Sequence, residues 1–489
     1  MTPTDFNAIL PILVLTGYGC LLLLVDLLIP DDRKRVTAWL TLLGLAGAAA
    51  AHAAWPVTGQ LVAFKGMLIA DGFGLFLNML FLGTAALTVL LALNYLPRTG
   101  IERGEFYVLL LFTVSGMMLM GQAGDLVIVF LALELLSIPL YIMAGLARPK
   151  PSSEESALKY FLLGSFASAF LVYGIALVYG ATGTTNLGLI LAATGAANPR
   201  LGLLLAGVGL VLVGLGFKIA AVPFHMWTPD VYDGAPSVVT AFMSVGAKAG
   251  GFAALLRVFV TAFPALAPQW AMVAAVMSAA TMLLGNFAAI VQSNVKRMLA
   301  YSSIAHAGYI LMGLVAAGSA SLAVQNTAIG ASLVYLLAYA VTNLGAWAVV
   351  IAVERADGGG QSTGLNISDY AGLGKRRPGL ALAMAVFMFS LTGVPPTIGF
   401  IGKAYIFGAT LQAGFAWLAV IGVVTSLVSA YYYLRVIVVM YMQDGQPVTT
   451  SRRSLNFTVA LTAIATVVFG LLPYPLLTIA TNAIQNMAR

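Results

Sequence analysis

Gly214-Leu215-Gly216-Phe217-Lys218-Ile219-Ala220-Ala221-Val222-Pro223-Phe224-His225-Met226-Trp227-Thr228-Pro229-Asp230 is the stretch that decides how the chain is read. It begins inside a long apolar run and carries a lysine where hydrocarbon is expected. It then places a proline that removes a backbone donor and clashes with the preceding turn. A membrane helix breaks here, beside a charge. About 180 residues later the pattern returns in altered form as Gly393-Val394-Pro395-Pro396-Thr397-Ile398-Gly399-Phe400-Ile401-Gly402-Lys403. Two broken helices, each with a lysine, have the character of paired ion-handling sites.

The composition around these stretches fits a membrane setting. Apolar residues make up 61% of the chain and charged residues 8%, with a mean hydropathy of +0.97, which puts it outside the soluble globular class and makes it a polytopic membrane protein. The net charge of +7 does not point to nucleic acid, because the basic residues fall mostly in short connections between apolar runs. A single cysteine, Cys20, excludes a disulfide framework and any cysteine-ligated iron–sulfur or zinc site within the chain. Neither a G-x-G-x-x-G fingerprint nor a P-loop is present, so nucleotide chemistry belongs elsewhere. The apolar run from Ala8 to Ile29 is too long for a signal-peptide core and reads as a retained span.

A helix needs about 20 apolar residues to cross about 30 Å of hydrocarbon. On that criterion fourteen spans are expected, at 8–29, 36–55, 71–96, 106–121, 124–147, 155–181, 201–227, 236–263, 268–291, 298–317, 321–353, 378–411, 415–441 and 455–482. Fifteen lysines and arginines then fall in the loops on one side, against three on the other side with both termini. Since cytoplasmic loops retain such residues, both termini are expected outside. Spans four to eight and nine to thirteen form two blocks of five, with the broken span fourth in each. Five is odd, so the second block lies upside down relative to the first, the plan of many secondary transporters. The expected organisation is an all-α membrane protein with a three-helix segment at 1–105, five-helix repeats at 106–263 and 268–441, and a C-terminal helix within 442–489. Gly358-Gly359-Gly360 through Arg377 reads as a flexible connector.

Six basic residues lie within spans: Lys159, Lys218, Lys248, Arg257, Lys403 and Arg435. One carboxylate, Glu134, is near the middle of a span, whereas Asp26, Asp71 and Asp125 sit at span ends, where water is close. A charged side chain in hydrocarbon costs several kcal/mol, and desolvation favours the neutral form of an amine. Arginine stays charged, with a pKa above about 12. Lysine at 218, 248 and 403 therefore favours proton exchange over fixed charge. A Glu134 carboxylate about 4 Å from Lys218 would hold it protonated by about 4 kcal/mol at an effective dielectric near 20, and separating the pair would release the proton. The relay expected from these residues begins near Lys218 on the cytoplasmic side, passes Lys248 and hydrated polar groups including His306, and leaves by Lys403. Ser332, Tyr335, Tyr339 and Asn343 recur at spacings of three and four and share a helix face that can hold water.

Other roles remain open for several of these residues. Glu134 and Lys218 could be a static ion pair, Lys159 could snorkel to the interface, His225 could only bond the broken backbone, and His306 could only cap a polar contact. Arg257 and Arg435 read as anchors near span ends, and Tyr431-Tyr432-Tyr433 as packing or interface.

Taken together, Lys218…Pro223-Phe224-His225-x-Trp227-x-Pro229-Asp230, Glu134, Lys248 and Lys296-Arg297-Met298-Leu299-Ala300-Tyr301-Ser302-Ser303-Ile304-Ala305-His306-x-Gly308-Tyr309 resemble the antiporter-like membrane subunits of respiratory complex I and of multisubunit cation/proton antiporters. The resemblance is strong over residues 106–441. Lys403 in the second broken helix, with Lys159, is similar to the subunit N branch of bacterial proton-translocating NADH:quinone oxidoreductase, counterpart of mitochondrial subunit 2. The resemblance implies a multi-pass protein of the bacterial inner membrane that moves protons, with no cofactor in this chain, and with NADH and quinone acting only through other subunits. It implies subunit M and the small subunits K and J as neighbours, besides the lipid bilayer. Two alternatives stay open: a component of a cation/proton antiporter with no redox partner, and a structural subunit whose buried charges only fix packing.

Overall fold

The computed structural model describes residues 2–54, 59–194, 200–356, 362–485 and 487. Its helices run, in order, α1 (Pro3–Asp26), α2 (Arg35–Ala54), α3 (Gly72–Arg98), α4 (Gly104–Gly121), α5 (Leu126–Ala144), α6 (Pro151–Thr182) and α7 (Leu187–Thr194). Next come α8 (Leu201–Lys218), α9 (Trp227–Gly234), α10 (Ser237–Phe242), α11 (Lys248–Ala262), α12 (Ala267–Ile290), α13 (Val295–Ala317) and α14 (Leu322–Val353). The last six are α15 (Leu373–Arg376), α16 (Pro378–Thr392), α17 (Ile398–Gln412), α18 (Ala416–Met442), α19 (Arg453–Leu471) and α20 (Tyr474–Gln485).

Among the described residues, 13 helical stretches are long and apolar enough to cross a membrane. The expected twelfth span supplies the remaining crossing in two pieces, α16 and α17, each 15 residues long and too short to cross alone. The breaks fall where the prolines put them. α8 ends at Lys218, Ala220 takes a left-handed φ of 60°, and the freed Val222 N–H donates 2.9 Å to Thr281 Oγ1 on the neighbouring α12. α16 ends at Gly393, with φ of 89°, just before Pro395 and Pro396. Here glycine is required twice: a Cβ would strain this φ and would come within 2.7 Å of the Lys403 Cδ.

Starts are set by side-chain caps. Asp71 accepts from Gly74 N at 2.9 Å to open α3, Asp125 accepts from Val127 N at 2.8 Å to open α5, and Asn294 accepts from the Lys296 and Arg297 amides to open α13. A short antiparallel hairpin, β1 (Leu61–Ala63) and β2 (Leu68–Ala70), delivers the chain to Asp71.

The bundle has an inside and an outside. The α10–α11 span is wholly buried within the chain and α14 is 89% buried, whereas α1, α6 and α19 are 33% buried and turn the rest of their surface outward. Helices buried this completely give their polar residues no lipid to face, so those residues face one another. Between α10 and α11, Met243–Ala247 forms a π turn immediately before Lys248, a local widening often found at functional sites.

Four expectations need correction. The span at 455–482 is two helices, because Pro473 lacks an amide hydrogen and its ring crowds the preceding turn; the expected single C-terminal helix is therefore α19 followed by α20. The short α7 stands between the sixth and seventh spans, where no helix was expected. Asp26, Asp71 and Asp125 lie away from water: Asp26 accepts from Lys34 at 2.9 Å and Thr37 at 2.6 Å, and Asp71 and Asp125 are 1% and 5% exposed. Arg257 is likewise no surface anchor, being 0% exposed and bound to Asp71 through both terminal nitrogens at 2.6 and 2.7 Å. The Gly358–Gly360 connector lies outside the described residues.

Candidate functional site: a chain of buried lysines

Lys218, the last residue of α8, is 3% exposed and donates from Nζ to Ser137 Oγ at 2.7 Å and Tyr160 OH at 3.2 Å. Tyr160 is in turn stacked on Trp227 of α9, centroid to centroid 4.5 Å, so the residues after the break brace the group that holds Lys218. The half-buried Glu134 accepts 2.6 Å from Ser168 Oγ on α6. Glu134 and Lys218 form no ion pair among the described residues, so the direct contact expected at about 4 Å is not made. A cavity of about 10 Å³, room for about one water, is lined by Ser137, Ser168 and Lys218 and lies between the two groups' hydroxyl partners.

Lys248 follows on the next inward helix. Gly251, one turn along α11 from Lys248, lies so close to Lys218 that a Cβ there would be 3.3 Å from the Lys218 Cγ. The Lys248 Nζ is 2% exposed, donates to both the carbonyl and the hydroxyl of Ser303 on α13, and lies 5.9 Å from the Tyr339 ring centroid.

His306, also on α13, is buried between two tyrosines. Its Nδ1 is 2.9 Å from Tyr335 OH and its Nε2 is 3.2 Å from Tyr433 OH, which also meets Ser302 Oγ at 2.5 Å. Lys403 closes the series: its Nζ donates to the carbonyls of Leu391 at 2.9 Å and Thr392 at 2.8 Å and to Ser426 Oγ at 2.7 Å, and it lies 4.8 Å from the Tyr309 ring centroid. Those two carbonyls are among the last in α16, where helical geometry leaves acceptors without intrahelical partners and the dipole is negative. The second break thus builds a cation site from backbone.

Lys159 and His225 stand apart from this series. Lys159 binds Glu155 at 2.6 Å and Asp230 at 2.7 Å in an open cleft of about 440 Å³ that Asp233 and Arg297 also line. This makes a polar vestibule at the basic-loop side of the bundle. His225 is half-buried and bonds neither Lys218 nor Lys248; the Pro223 backbone at the break lies within its reach, although its buried Nδ1 has no hydrogen-bond partner of ordinary geometry among the described residues.

The profile of the transmembrane family described as NADH:quinone oxidoreductase/Mrp antiporter matches residues 123–429, more than half of the chain. The chain belongs to this family. Among members of the NADH:quinone oxidoreductase/Mrp antiporter family, a protein of Chloroflexus aggregans named NADH-quinone oxidoreductase subunit N is 47% identical over 99% of this chain and 98% of its own length. A chain in the respiratory complex I of Thermus thermophilus is 36% identical, with a TM-score of 0.80 over 96% of this chain and 98% of that one. A chain of the Mrp complex from Dietzia sp. DQ12-45-1b is 21% identical with a TM-score of 0.83 over 99% and 98%, a likeness of fold alone.

In this antiporter-family chain, the groups that sequence reasoning passed over are the neutral ones. Ser137, Tyr160, Ser303 and Ser426 hold the lysines, and Ser168 holds Glu134. Ser137 is three residues after Glu134 and Ser303 three before His306, a spacing that puts each pair on one helix face; hydroxyls are common enough in helices that this signal is weak. Of the tyrosine run, Tyr431 is exposed as a packing or interface residue would be, but Tyr433 bonds His306 and Tyr432 donates 2.9 Å to Asn286. On the α14 face, Tyr335 bonds His306 and Asn343 donates 2.7 Å to Ser244, while Ser332 turns back to its own helix at Ala328.

Proposed function

We propose that this chain is a proton-translocating membrane-arm subunit of an NADH:quinone oxidoreductase, moving protons through buried lysines while redox chemistry takes place in other subunits. The observation that carries this reading is that Lys218, Lys248 and Lys403 are each about 2–3% exposed and are bonded to hydroxyls and carbonyls rather than to carboxylates. A cation serving only as structural mortar is normally paired with an anion when buried. In this reading a water in the small cavity links Glu134, through Ser168, to Lys218 and Ser137. Lys248, His306 with its tyrosines, and Lys403 then carry the proton onward, and Lys159 and Asp230 frame the mouth. His225 has the weakest support, because nothing ties it to either lysine.

The finer points belong to the same proposal. The two five-helix blocks at 106–263 and 268–441 act as inverted halves, the chain lies in a bacterial inner membrane with both termini outside, it carries no cofactor, and its neighbours are subunits M, K and J. Subunit N naming of the full-length relatives supports a redox complex over a free antiporter. The test is to reconstitute the assembled complex in vesicles with Lys218→Ala or Lys248→Ala. Coupled quinone reduction and protons moved per electron fall while assembly is kept. An assembled double variant with the normal stoichiometry overturns the function.

A further inference from the structure

Several buried polar atoms take no part in the series of lysines, and four of them fall on one face of α14 and its C-cap. Glu354 Oε2, Trp347 Nε1, Asn343 Oδ1 and Tyr339 OH are all buried without a hydrogen-bond partner of ordinary geometry among the described residues, although Tyr339 OH lies near Ser303. Their positions step by seven, four and four residues, and four more reach Tyr335, which bonds His306. That spacing keeps them in one file along the helix, about 22 Å from Glu354 to Tyr339 at 1.5 Å per residue.

Both ends of the file are connected. Glu354, 1% exposed, accepts at 3.2 Å from Tyr95 OH, which itself accepts from Ser237 N at 3.1 Å. Lys296, also 1% exposed, lies within electrostatic reach of Glu354 on one side and of Asp233 and Lys150, which line the vestibule, on the other. At the inner end Asn343 holds Ser244 in the π turn that precedes Lys248, and Tyr339 has both Lys248 and His306 against its ring, at 5.9 and 5.0 Å. Buried polar atoms in folded proteins are satisfied by protein or by ordered water, and a row of them on a buried helix marks where water threads.

We propose that Glu354 and this face of α14 form a second proton-uptake route, running from the vestibule past Lys296 to Lys248 and His306 without passing Lys218. The proposal rests on the proton-translocating reading above. In it, the Glu354 carboxylate takes a proton from the vestibule and releases it into the file. Trp347 can only donate and the Asn343 carbonyl can only accept, so these two orient waters. The waters and the Tyr339 hydroxyl do the passing, each accepting one proton and giving up another, until a neutral Lys248 amine takes the last. No electron moves and no bond other than those to the travelling hydrogens changes.

The test uses the assembled complex in vesicles and compares Lys218→Ala, Glu354→Gln and the two combined, with proton uptake per electron and coupled turnover as readouts. Two parallel routes leave residual pumping in each single variant, and the combination falls about a hundredfold below either, the lower end of the scale for one lost proton-transfer group. Asn343→Leu, which puts an apolar side chain into the file and leaves Glu354 in place, reproduces the loss in the Lys218→Ala background, and Glu354→Asp restores it. Residual pumping of Lys218→Ala that ignores both Glu354→Gln and Asn343→Leu overturns the route. So does a failure of Glu354→Gln to assemble that Glu354→Asp does not repair, since a carboxylate whose charge and length are both needed for assembly is a structural group. Lys248→Ala separates the two readings: if it abolishes pumping while the α14 variants leave the residual pumping of Lys218→Ala untouched, the route fails and the function stands, whereas if it pumps normally the function itself fails.

Discussion

Replacing Arg257 by methionine tests the frame that holds Lys248, which is nine residues earlier on the same helix. The guanidinium and the Asp71 carboxylate meet through two bonds of 2.6 and 2.7 Å with both side chains 0% exposed, and Arg257 also donates 2.9 Å to the Gly121 carbonyl. Removing either partner strands the other charge in the interior, which costs about 3–5 kcal/mol. The two single variants are not equivalent. After Arg257→Met the carboxylate keeps the Gly74 amide, whereas Asp71→Ala also loses the cap of α3, worth about 1 kcal/mol. Arg257→Met in turn leaves the Gly121 carbonyl without its guanidinium partner, at about 1–3 kcal/mol, so each single change carries a second loss of its own. With both residues replaced no charge is stranded, and the double variant is less destabilised than the sum of the singles by about 3 kcal/mol. The measurement is a double-variant cycle on denaturant unfolding in detergent. Additive losses would refute the claim that this pair is a desolvated, mutually dependent unit joining α3 to α11.

Two further changes probe the ends of the lysine series. Lys403→Met leaves the Leu391 carbonyl without its Nζ partner, at about 1–3 kcal/mol, while the Thr392 carbonyl keeps the Ser426 hydroxyl; the complex is expected to assemble and to lose proton pumping, and unchanged pumping would assign Lys403 to packing. At the vestibule, burial pushes the Asp230 carboxyl up, but the hydrogen bonds from Lys159 and Arg297 outweigh it and hold the group below its ordinary value. A depressed carboxyl gives stability that is present above the unfolded pKa of about 3.9 and lost as pH falls through the folded one. Asp230→Asn should therefore flatten the acid limb of a stability profile below about pH 4, and an unchanged limb would show that these ion pairs are idle.

The fold could be read from the sequence to the extent that hydrocarbon imposes it. Thirteen of the fourteen expected spans appear as helices long and apolar enough to cross and the twelfth as two shorter helices, the prolines at 223 and 395–396 break the helices they were expected to break, and the lysines at 218, 248 and 403 are all buried. What failed had a common cause. The positions of Asp71 and Arg257 along their spans suggested nearby water, but burial depends on which helices pack around a span end, and nothing local in either stretch encodes that a residue 186 positions away supplies the countercharge. The expected Glu134–Lys218 contact failed for a related reason: opposite charges one helix apart attract in a two-body estimate, yet Ser168 and Ser137 intervene and satisfy each separately. Hydroxyls carry no distinctive sequence signal, so the groups that hold the site were the ones least visible.

Those hydroxyls also explain how one set of contacts serves both states of a proton carrier. Buried cations in this chain fall into two kinds. Arg257 and Lys34 are held by the carboxylates of Asp71 and Asp26, a pairing that becomes badly unbalanced if the cation loses its charge. Lys403 is held by two carbonyls and a hydroxyl. An ammonium donates three bonds to that set, and a neutral amine donates two to the carbonyls and accepts one from Ser426 once its hydroxyl rotates. Lys218, between Ser137 and Tyr160, has the same freedom. At Lys403 neither protonation state then leaves a buried donor or acceptor stranded. A carboxylate at the same distance would fix the lysine in its charged form and remove it from the relay. In the proposed relay Glu134 biases Lys218 without a direct ion pair, held instead by Ser168.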